Sequence, residues 1–311
     1  MKKKSITLYN YFSQVIHSFI ADNVFKYSAS LAYYTIFSLI PMLVIIIAIF
    51  GNLFGKESIE GQLYNQLKNL IGSNASLQIQ ESIKAIHLSG QSTGAAIISG
   101  IILLVGATGI FGEIQDSLNK IWGLRVKAKK VWWKLILDRL VSFSLIISLG
   151  FIMLVSLSIN AIALAIGQRI SNLVSTNFTH TIPYIENTLS FIISIFLFAL
   201  IFKVLPDAKI KWKDVGVGAF ITSILFSAGK IAIGYYLGQS NVANIYGAGS
   251  SIMIILVWAY YSSMILYLGA EFTKVYAATF GGKIFPNNYS EWIVVKETPV
   301  DNIKLNAEIF D

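Results

Sequence analysis

The sequence predicts an all-α, polytopic membrane protein, and two observations carry that prediction. The 311 residues are 55% hydrophobic and only 13% charged, with a mean hydropathy of +0.66. A soluble domain carries about 25% charged residues, so this composition excludes a soluble enzyme and a disordered chain. Six apolar stretches are also long enough to cross a bilayer, which takes roughly 20 helical residues.

The six predicted transmembrane helices form one domain over residues 29–273. They lie at about 29–54, 93–115, 139–166, 184–205, 214–238 and 248–273. A cytoplasmic or interfacial segment, 1–28, precedes the domain. A cytoplasmic tail, 274–311, follows it, and we expect the tail to be weakly structured from Phe285 on. The first stretch is too long for the apolar region of a cleaved signal peptide, which favours a retained membrane helix.

The distribution of basic residues predicts that both termini are cytoplasmic. Of the 24 Lys and Arg residues, 19 fall in the N-terminal segment, the second and fourth connections and the tail. Four basic residues fall on the opposite side: Lys56, Lys68, Lys84 and Arg169. This asymmetry follows the positive-inside rule and suits anionic lipid headgroups at the cytoplasmic face. The net charge of +8 therefore needs no nucleic-acid partner.

Two segments outside the predicted spans have helical periodicity. Residues 6–20 follow a lysine cluster and predict an amphipathic helix in the cytoplasmic interface. The connection 55–92 predicts a helical hairpin that caps the outer face, broken near Gly72. The apolar residues of the two hairpin stripes are Ile59, Leu63, Leu67, Ile71, Ile79, Ile83 and Ile86.

The chain lacks the residue patterns of common catalytic and metal sites. It has no cysteine, and its three histidines are scattered at His17, His87 and His180. No HxH, HExxH, P-loop or GxSxG spacing occurs. We therefore predict no catalytic residue, no metal, no cofactor and no nuclease activity.

Lys230 is the clearest ionisable residue inside a predicted span, where a charge in lipid is costly. It lies 8 residues before Gly238, roughly 12 Å from the outer end at 1.5 Å per residue. Lys230, Gly234 and Gly238 share one face, and glycine faces of this spacing usually pack on another helix. We expect Lys230 to face protein or a cavity; the alternative is a lysine that snorkels to the outer headgroups.

Two residues of neighbouring predicted helices are candidate partners of Lys230. Glu186 lies near the outer end of the fourth helix, and Asn160 lies in the outer half of the third. The three side chains form either a polar site that opens outward or an ion pair that holds three helices together.

A second polar group is predicted at the cytoplasmic end. Glu113, Asp116 and Asn119 follow at intervals of three residues and share a face of the second helix, while Glu271 ends the sixth. Arg139 and the lysines of the fourth connection can face them. The group is either part of a substrate pathway or an interfacial charge network that anchors helix ends.

Proline and glycine positions predict a kink and close packing in the first two helices. Pro41 interrupts the backbone hydrogen bonds of the first helix, and Ser38 can help to satisfy the freed groups. Gly106, Gly109 and Gly112 lie three apart on the second helix and mark either close packing or a mobile contact.

Several motifs match one known family in chain order. They are SLAYYTIFSLIP at 30–41, GEIQDSLNKIW at 112–122, LPD at 205–207 with Trp212 and Gly218-Ala219, YGAGS at 246–250, WAYYS at 258–262 and LGAEF at 268–272. Over about residues 10–280 the chain resembles the YihY/BrkB family of bacterial inner-membrane proteins, once mislabelled ribonuclease BN. The resemblance implies six spans, cytoplasmic termini, an inner-membrane location and links to virulence.

The resemblance also implies passage of lipid A-type or phospholipid-type molecules across the inner membrane. We therefore expect a transporter-like or flippase-like protein that handles an amphipathic, anionic lipid-type envelope substrate, and a homo-oligomer is compatible with it. The alternatives are a secondary transporter of ions or small solutes, and a non-transporting scaffold for envelope assembly. A transporter of ions needs a site at the midplane, where the sequence places no carboxylate.

Overall fold

A computed structural model describes residues 8–88, 93–127, 133–134, 136–152, 182–239 and 250–293, and almost all of them are helical. The helices are α1 Leu8–Ala21, α2 Val24–Phe54, α3 Lys56–Ile71, α4 Ser73–Leu88, α5 Thr93–Ile121, α6 136–152, α7 Ile182–Val204, α8 Trp212–Gln239 and α9 Ser250–Thr279. The strands are β1 Leu124–Val126, β2 Ala208–Lys209, β3 Phe285–Pro286 and β4 Ser290–Trp292.

Helices lie in all six segments that the sequence predicted to cross the membrane, as far as the structure describes them; the third is described only to residue 152. Three of the described helical stretches are long and apolar enough to span a bilayer: Val24–Phe54, Trp212–Ile233 and Ile252–Thr279. A shorter apolar stretch, Thr188–Val204, lies within α7. The prediction of an all-helical membrane protein is confirmed at that level.

Helix α1 presents apolar side chains in two directions. Tyr11 and Val15 are buried against Phe272 and Val275 of α9, and the Tyr11 hydroxyl donates a hydrogen bond to the Phe272 carbonyl oxygen at 3.0 Å. Burial raises the pKa of Tyr11, so this hydroxyl remains a donor. Four large side chains on other sides of the helix are exposed: Tyr9, Phe12, Ile16 and Ile20. The exposed set suits a membrane interface.

The predicted hairpin between the first two spans is present as α3 and α4. Gly72 separates them with a φ of 84°, a conformation that glycine adopts without strain. Five residues of the predicted stripes are buried: Ile59, Leu63, Ile71, Ile79 and Ile83. The helical period in the sequence therefore identified the face that packs on the bundle.

Helix α2 packs against α5 and α9 and passes through Pro41 without interruption. A Cβ on Gly106 would lie 3.1 Å from Pro41 Cγ, and one on Gly109 would lie 3.1 Å from Ser38 Oγ. These two glycines therefore allow the close packing that the sequence predicted. Gly112 has no atom within 4 Å of its Cβ position, so it takes no part in this close packing, and the alternative of a mobile contact there stays a prediction.

Helices α8 and α9 meet through two reciprocal glycine–threonine contacts. A Cβ on Gly218 would overlap Thr273, and a Cβ on Gly269 would overlap Thr222. Each threonine hydroxyl donates within its own helix, at 2.7 Å, to the carbonyl oxygen of Gly218 or Gly269. The absence of side chains at both glycines lets the two backbones approach closely.

The segment after α9 corrects the predicted tail. The sequence predicted a weakly structured tail from Phe285, but residues 280–293, here called the C-terminal strap, fold back on two connections. Strand β4 pairs antiparallel with β1, matching Arg125 with Glu291, and β3 pairs with β2, matching Lys209 with Phe285. The strands are too short to show as apolar periodicity, which explains the wrong prediction.

Candidate functional site

A cavity of about 260 Å³ lies in the middle of the helical bundle. Six helices line it, and its apolar wall includes Leu31 of α2, Leu67 of α3, Ile110 of α5, Phe198 of α7, Phe226 of α8 and Trp258 of α9. The volume is close to the lower limit of small-molecule pockets, roughly 300 Å³. We call it the central cavity.

Three hydroxyl residues interrupt the apolar wall of the central cavity. Thr35 donates to the Leu31 carbonyl oxygen at 2.7 Å and Ser263 donates to the Ala259 carbonyl oxygen at 2.6 Å, so both are satisfied within their own helices. The Ser262 hydroxyl has no hydrogen-bond partner among the described residues. One hydroxyl is thus left to bind a polar atom of a ligand.

A dense polar network lies at the end of the bundle where α5, α7 and α9 end, here called the basic end. Its hub is the buried Asp207, in the connection between α7 and α8. Asn119 Nδ2 donates to Asp207 Oδ2 at 3.0 Å, and the Asp207 backbone N–H donates to Asn119 Oδ1 at 2.8 Å. This reciprocal pair joins residues that are 88 positions apart and fixes the end of α5.

The C-terminal strap completes the environment of Asp207. Asn287 Nδ2 donates to Asp207 Oδ1 at 3.2 Å, and the Ser290 hydroxyl donates to the Asp207 carbonyl oxygen at 2.6 Å. Lys134 Nζ lies 2.5 Å from Asp207 Oδ1, and both side chains are almost fully buried. Lys134 also binds Asp138, one helical turn further along. Three other parts of the chain therefore converge on the Asp207 carboxylate: the end of α5, Lys134 and the C-terminal strap.

A second polar centre, the Glu271 cluster, consists of Glu271 and Lys274 of α9 and Asp22 of the α1–α2 turn. Lys274 Nζ lies 2.5 Å from Asp22 Oδ2 and 3.3 Å from Glu271 Oε2. Glu271 is fully buried, and neither of its oxygens accepts a hydrogen bond from a described residue. Trp122 Nε1 donates to the carbonyl oxygen of Ala270, at 3.2 Å, and thereby anchors α9 beside Glu271.

The predicted polar face of α5 needs correction. Asn119 is buried against Asp207, whereas Asp116 is exposed and Glu113 is half-buried. The buried polar residue that accompanies Asn119 is Gln115, four residues before it, whose Nε2 donates to Asp138 at 2.9 Å. Spacing of three and spacing of four both place residues on one side of a helix, so sequence alone did not select the correct pair.

The predicted position of Arg139 is also wrong. Its NH1 donates to Thr108 Oγ1 at 2.5 Å instead of facing Glu113 or Asp116. Among the lysines of the fourth connection, Lys203 binds the Ile210 carbonyl oxygen and lies 5.7 Å from the centroid of the Trp212 ring. These basic side chains hold helix ends and do not converge on the α5 carboxylates.

The structure does not bear out the packing predicted for Lys230. Its side chain is exposed on α8, next to the exposed Ile231. The residue that packs is its neighbour Gly229, where a Cβ would overlap Tyr261. The structure describes neither the side chain of Glu186 nor any part of Asn160, so a pair between Lys230 and Glu186 stays a prediction. The surroundings of Gly234 and Gly238 also lie outside the described part.

Sequence reasoning missed three residues that organise the basic end. Asp207 belongs to the LPD motif, but no sequence pattern indicates its contacts. The charge distribution indicates only the orientation for Lys134, and no pattern indicates a role for Asp22. The available signal is the position of Asp207 just after an apolar helix, where an aspartate is buried. A buried carboxylate needs several hydrogen-bond donors, so other parts of the chain must supply them.

These observations define a helical membrane protein with an apolar central cavity and a buried polar end, and comparisons with known proteins agree. Residues 15–288 match the family model described as virulence factor BrkB. A UPF0761 membrane protein of Vibrio vulnificus is 29% identical over 263 residues, covering 81% of this chain and 77% of that protein. One of Ralstonia nicotianae is 24% identical, covering 80% of this chain and 54% of that protein.

The chain belongs to the virulence factor BrkB family, and the resemblance of its motifs is thereby confirmed. A similar relative in Stenotrophomonas maltophilia is 25% identical over 267 residues and covers 84% of this chain. No solved structure matches the chain.

Proposed function

We propose that this protein binds the apolar part of an amphipathic, anionic lipid-type envelope molecule in the central cavity and moves it across the bacterial inner membrane. The observation that carries the proposal is the apolar wall of the cavity, formed by six helices with one hydroxyl, Ser262, left for a polar atom. An acyl chain gains free energy from such a wall, roughly 0.8 kcal/mol for each buried CH₂ group.

The position of the cavity relative to charge supports an amphipathic ligand. Leu266 marks one limit of the cavity on α9, and Glu271 and Lys274 follow on the same helix. Leu266 and Glu271 are separated by about 7.5 Å along the helix axis, at 1.5 Å per residue. Because Glu271 itself is fully buried, a molecule with its apolar tail in the cavity would direct an anionic head toward the partly exposed Lys274.

The proposal includes six membrane crossings with both termini in the cytoplasm. The supporting observation is the concentration of basic residues on one side of the predicted spans. Because the chain has no native cysteine, single cysteines can be introduced at Ser58, beside the predicted outer end of α2, and at Lys283, both exposed. In intact cells, an impermeant thiol reagent should label Ser58→Cys and leave Lys283→Cys unlabelled. Labelling of the second position from outside would overturn the orientation.

Translocation of a fluorescent phospholipid in liposomes tests the substrate class. Ala259 is buried in the cavity wall, and Ala259→Phe should fill the cavity and abolish most of the transport. Ala228→Phe adds the same side chain at an exposed site of α8 and is the matched control, expected to keep full transport. Ile255→Trp fills the cavity from the preceding turn and decides the matter if Ala259→Phe does not fold.

The outcomes separate the proposal from its rivals. Lipid transport that survives both cavity fillings would overturn it. Ion or solute flux without lipid transport would favour a secondary transporter, and a protein that transports neither would favour a scaffold. The proposal involves no catalysis and no nucleic acid, so purified protein should not cleave tRNA precursors.

A further inference from the structure

We propose that the Glu271 cluster binds one exchangeable proton. The inference rests on three side chains at the basic end and stands independently of the proposed lipid substrate. Lys274 bridges two carboxylates, at 2.5 Å from Asp22 and 3.3 Å from Glu271. One positive charge therefore serves two acidic groups.

The Glu271 cluster has one lysine for two carboxylates, as Lys134 has Asp207 and Asp138, but it lacks the amide donors that surround Asp207. With both carboxylates ionised, Asp22, Glu271 and Lys274 would together carry one uncompensated negative charge. Glu271 is fully buried, and apart from the Lys274 ammonium that it shares with Asp22 no described residue donates to its oxygens. Burying an uncompensated charge is far more costly than protonating one of two neighbouring carboxylates.

The titratable groups of neighbouring helices do not supply the missing charge. Glu113 of α5 and Asp22 both act electrostatically on Tyr27 of α2, so Glu113 lies in the same region as the cluster. It adds negative charge to that region and no positive charge. Lys120 of α5 is exposed, and its charge acts on Asp116. Asp214 of α8 is an acid and accepts a hydrogen bond from the Gly282 backbone N–H at 2.8 Å, so it supplies no positive charge. Three further titratable residues of helices packed on α9 are exposed: His17, Lys26 and Lys213.

The geometry favours a proton over a metal ion. Across the part of the chain that the structure describes, no three His, Cys, Asp or Glu side chains are grouped so that they can hold a metal. Asp22 Oδ2 and Glu271 Oε2 both contact the Lys274 ammonium nitrogen, so the two carboxyls are neighbours. In the protonated form, the Glu271 O–H donates to the Asp22 carboxylate, whose charge the Lys274 ammonium neutralises, and the cluster has no net charge.

The same three residues provide a path for exchange with solvent. Glu271 is 0% exposed, whereas the side chains of Asp22 and Lys274 are 32% and 31% exposed. A proton from bulk water binds the Asp22 carboxylate first and then passes to Glu271, and release follows the reverse order. Asp22 thus separates the buried acid from solvent.

Infrared spectroscopy of the 311-residue chain in dodecyl maltoside micelles, whose detergent has no C=O group, tests the proposal. At neutral pH the wild type should show the C=O stretch of one protonated carboxyl, and Glu271→Gln should lose it. Glu57→Gln, which changes an exposed glutamate of α3, should retain it. A wild type without this band at neutral pH would overturn the proposal.

Two variants that keep Glu271 decide the question even if Glu271→Gln does not fold. Asp22→Asn leaves one carboxylate for one lysine, so Glu271 should ionise and the band should vanish at neutral pH. Lys274→Met leaves two carboxylates without a cation, so the band should persist to higher pH than in the wild type. A band that Asp22→Asn leaves unchanged would show that the proton is not shared within this cluster.

Discussion

Asp207 and Glu271 are two buried carboxylates at the same end of the bundle, and they differ in how they are satisfied. Asp207 accepts hydrogen bonds from Asn119 and Asn287 and shares its buried lysine, Lys134, with Asp138. Glu271 accepts no hydrogen bond from the described residues and shares Lys274 with Asp22. Burial alone therefore does not tell a structural carboxylate from one that can change its protonation state.

The difference follows from the number of donors that each position attracts. Asp207 lies in a connection, where backbone and side chains of the C-terminal strap can approach from several directions. Glu271 lies inside a long helix, whose own backbone groups are already paired. Both carboxylates share their lysine with a second acid, so the amide donors make the difference: several donors favour the ionised form, whereas a carboxylate without them has room for a proton.

The largest expected effect comes from Asp207→Asn. The amide would place an NH₂ group against donors and remove the negative charge that compensates buried Lys134, leaving Asp138 as its remaining counter-charge. Removing one partner of a buried ion pair costs about 3–5 kcal/mol, and we expect a loss of that size in the free energy of unfolding. Denaturation of the purified protein in mixed micelles measures it.

An exposed ion pair of the same region is the matched control. Arg125 and Glu291 pair at 2.9 Å across strands β1 and β4, with both side chains well exposed. Exposed pairs contribute about 0–1 kcal/mol, so Glu291→Gln should change stability very little. An equal effect of the two substitutions would contradict the role of Asp207 as a hub.

The contact that holds α9 beside α8 gives the second prediction. Gly218→Ala would place a methyl group against Thr273 and should cost about 1–3 kcal/mol by overpacking. Gly216→Ala, on the same helix with no atom near its Cβ position, should be neutral or slightly stabilising. If both variants unfold alike, the close approach of α8 and α9 is not what fixes the position of Glu271.

The C-terminal strap gives the third prediction, of about 1–2 kcal/mol. Ser290→Ala removes the hydroxyl that donates to the Asp207 carbonyl oxygen and leaves that buried group with one donor fewer. An unsatisfied buried acceptor costs about 1–3 kcal/mol, and the Asn287 backbone N–H, at 3.0 Å, offsets part of the loss. Unfolding in mixed micelles should detect it, and unchanged stability would mean that the strap does not support the hub.

Apolar periodicity predicted the helices well because burial of apolar surface is encoded locally. The hairpin stripe of Ile59, Leu63 and Ile71 packs on the bundle as the spacing indicated. The glycines that meet Pro41 and Ser38 were identified for the same reason: small residues at helical spacing allow close backbone contact.

Polar partners across the chain were not predictable in the same way. Asn119 and Asp207 are 88 residues apart, and no local pattern selects Asp207 over Glu113 or Asp116 as a neighbour. The glycine spacing predicts that Lys230 packs, but the residue that packs is Gly229, one position earlier. A shift of one residue turns a helix by about 100°, which is enough to move a side chain off the packed face.

The smallest expected effect on stability is that of Glu271→Gln, the counterpart of Asp207→Asn. If Glu271 carries a proton, glutamine replaces one hydrogen-bond donor with another of similar shape, and the free energy of unfolding should change by less than about 1 kcal/mol. If Glu271 is instead ionised and paired with Lys274, the same substitution breaks a buried ion pair and should cost about 3–5 kcal/mol, as at Asp207. Unfolding of both amide variants in the same micelles therefore compares the two carboxylates directly. Equal losses would mean that Glu271 is a second structural anion.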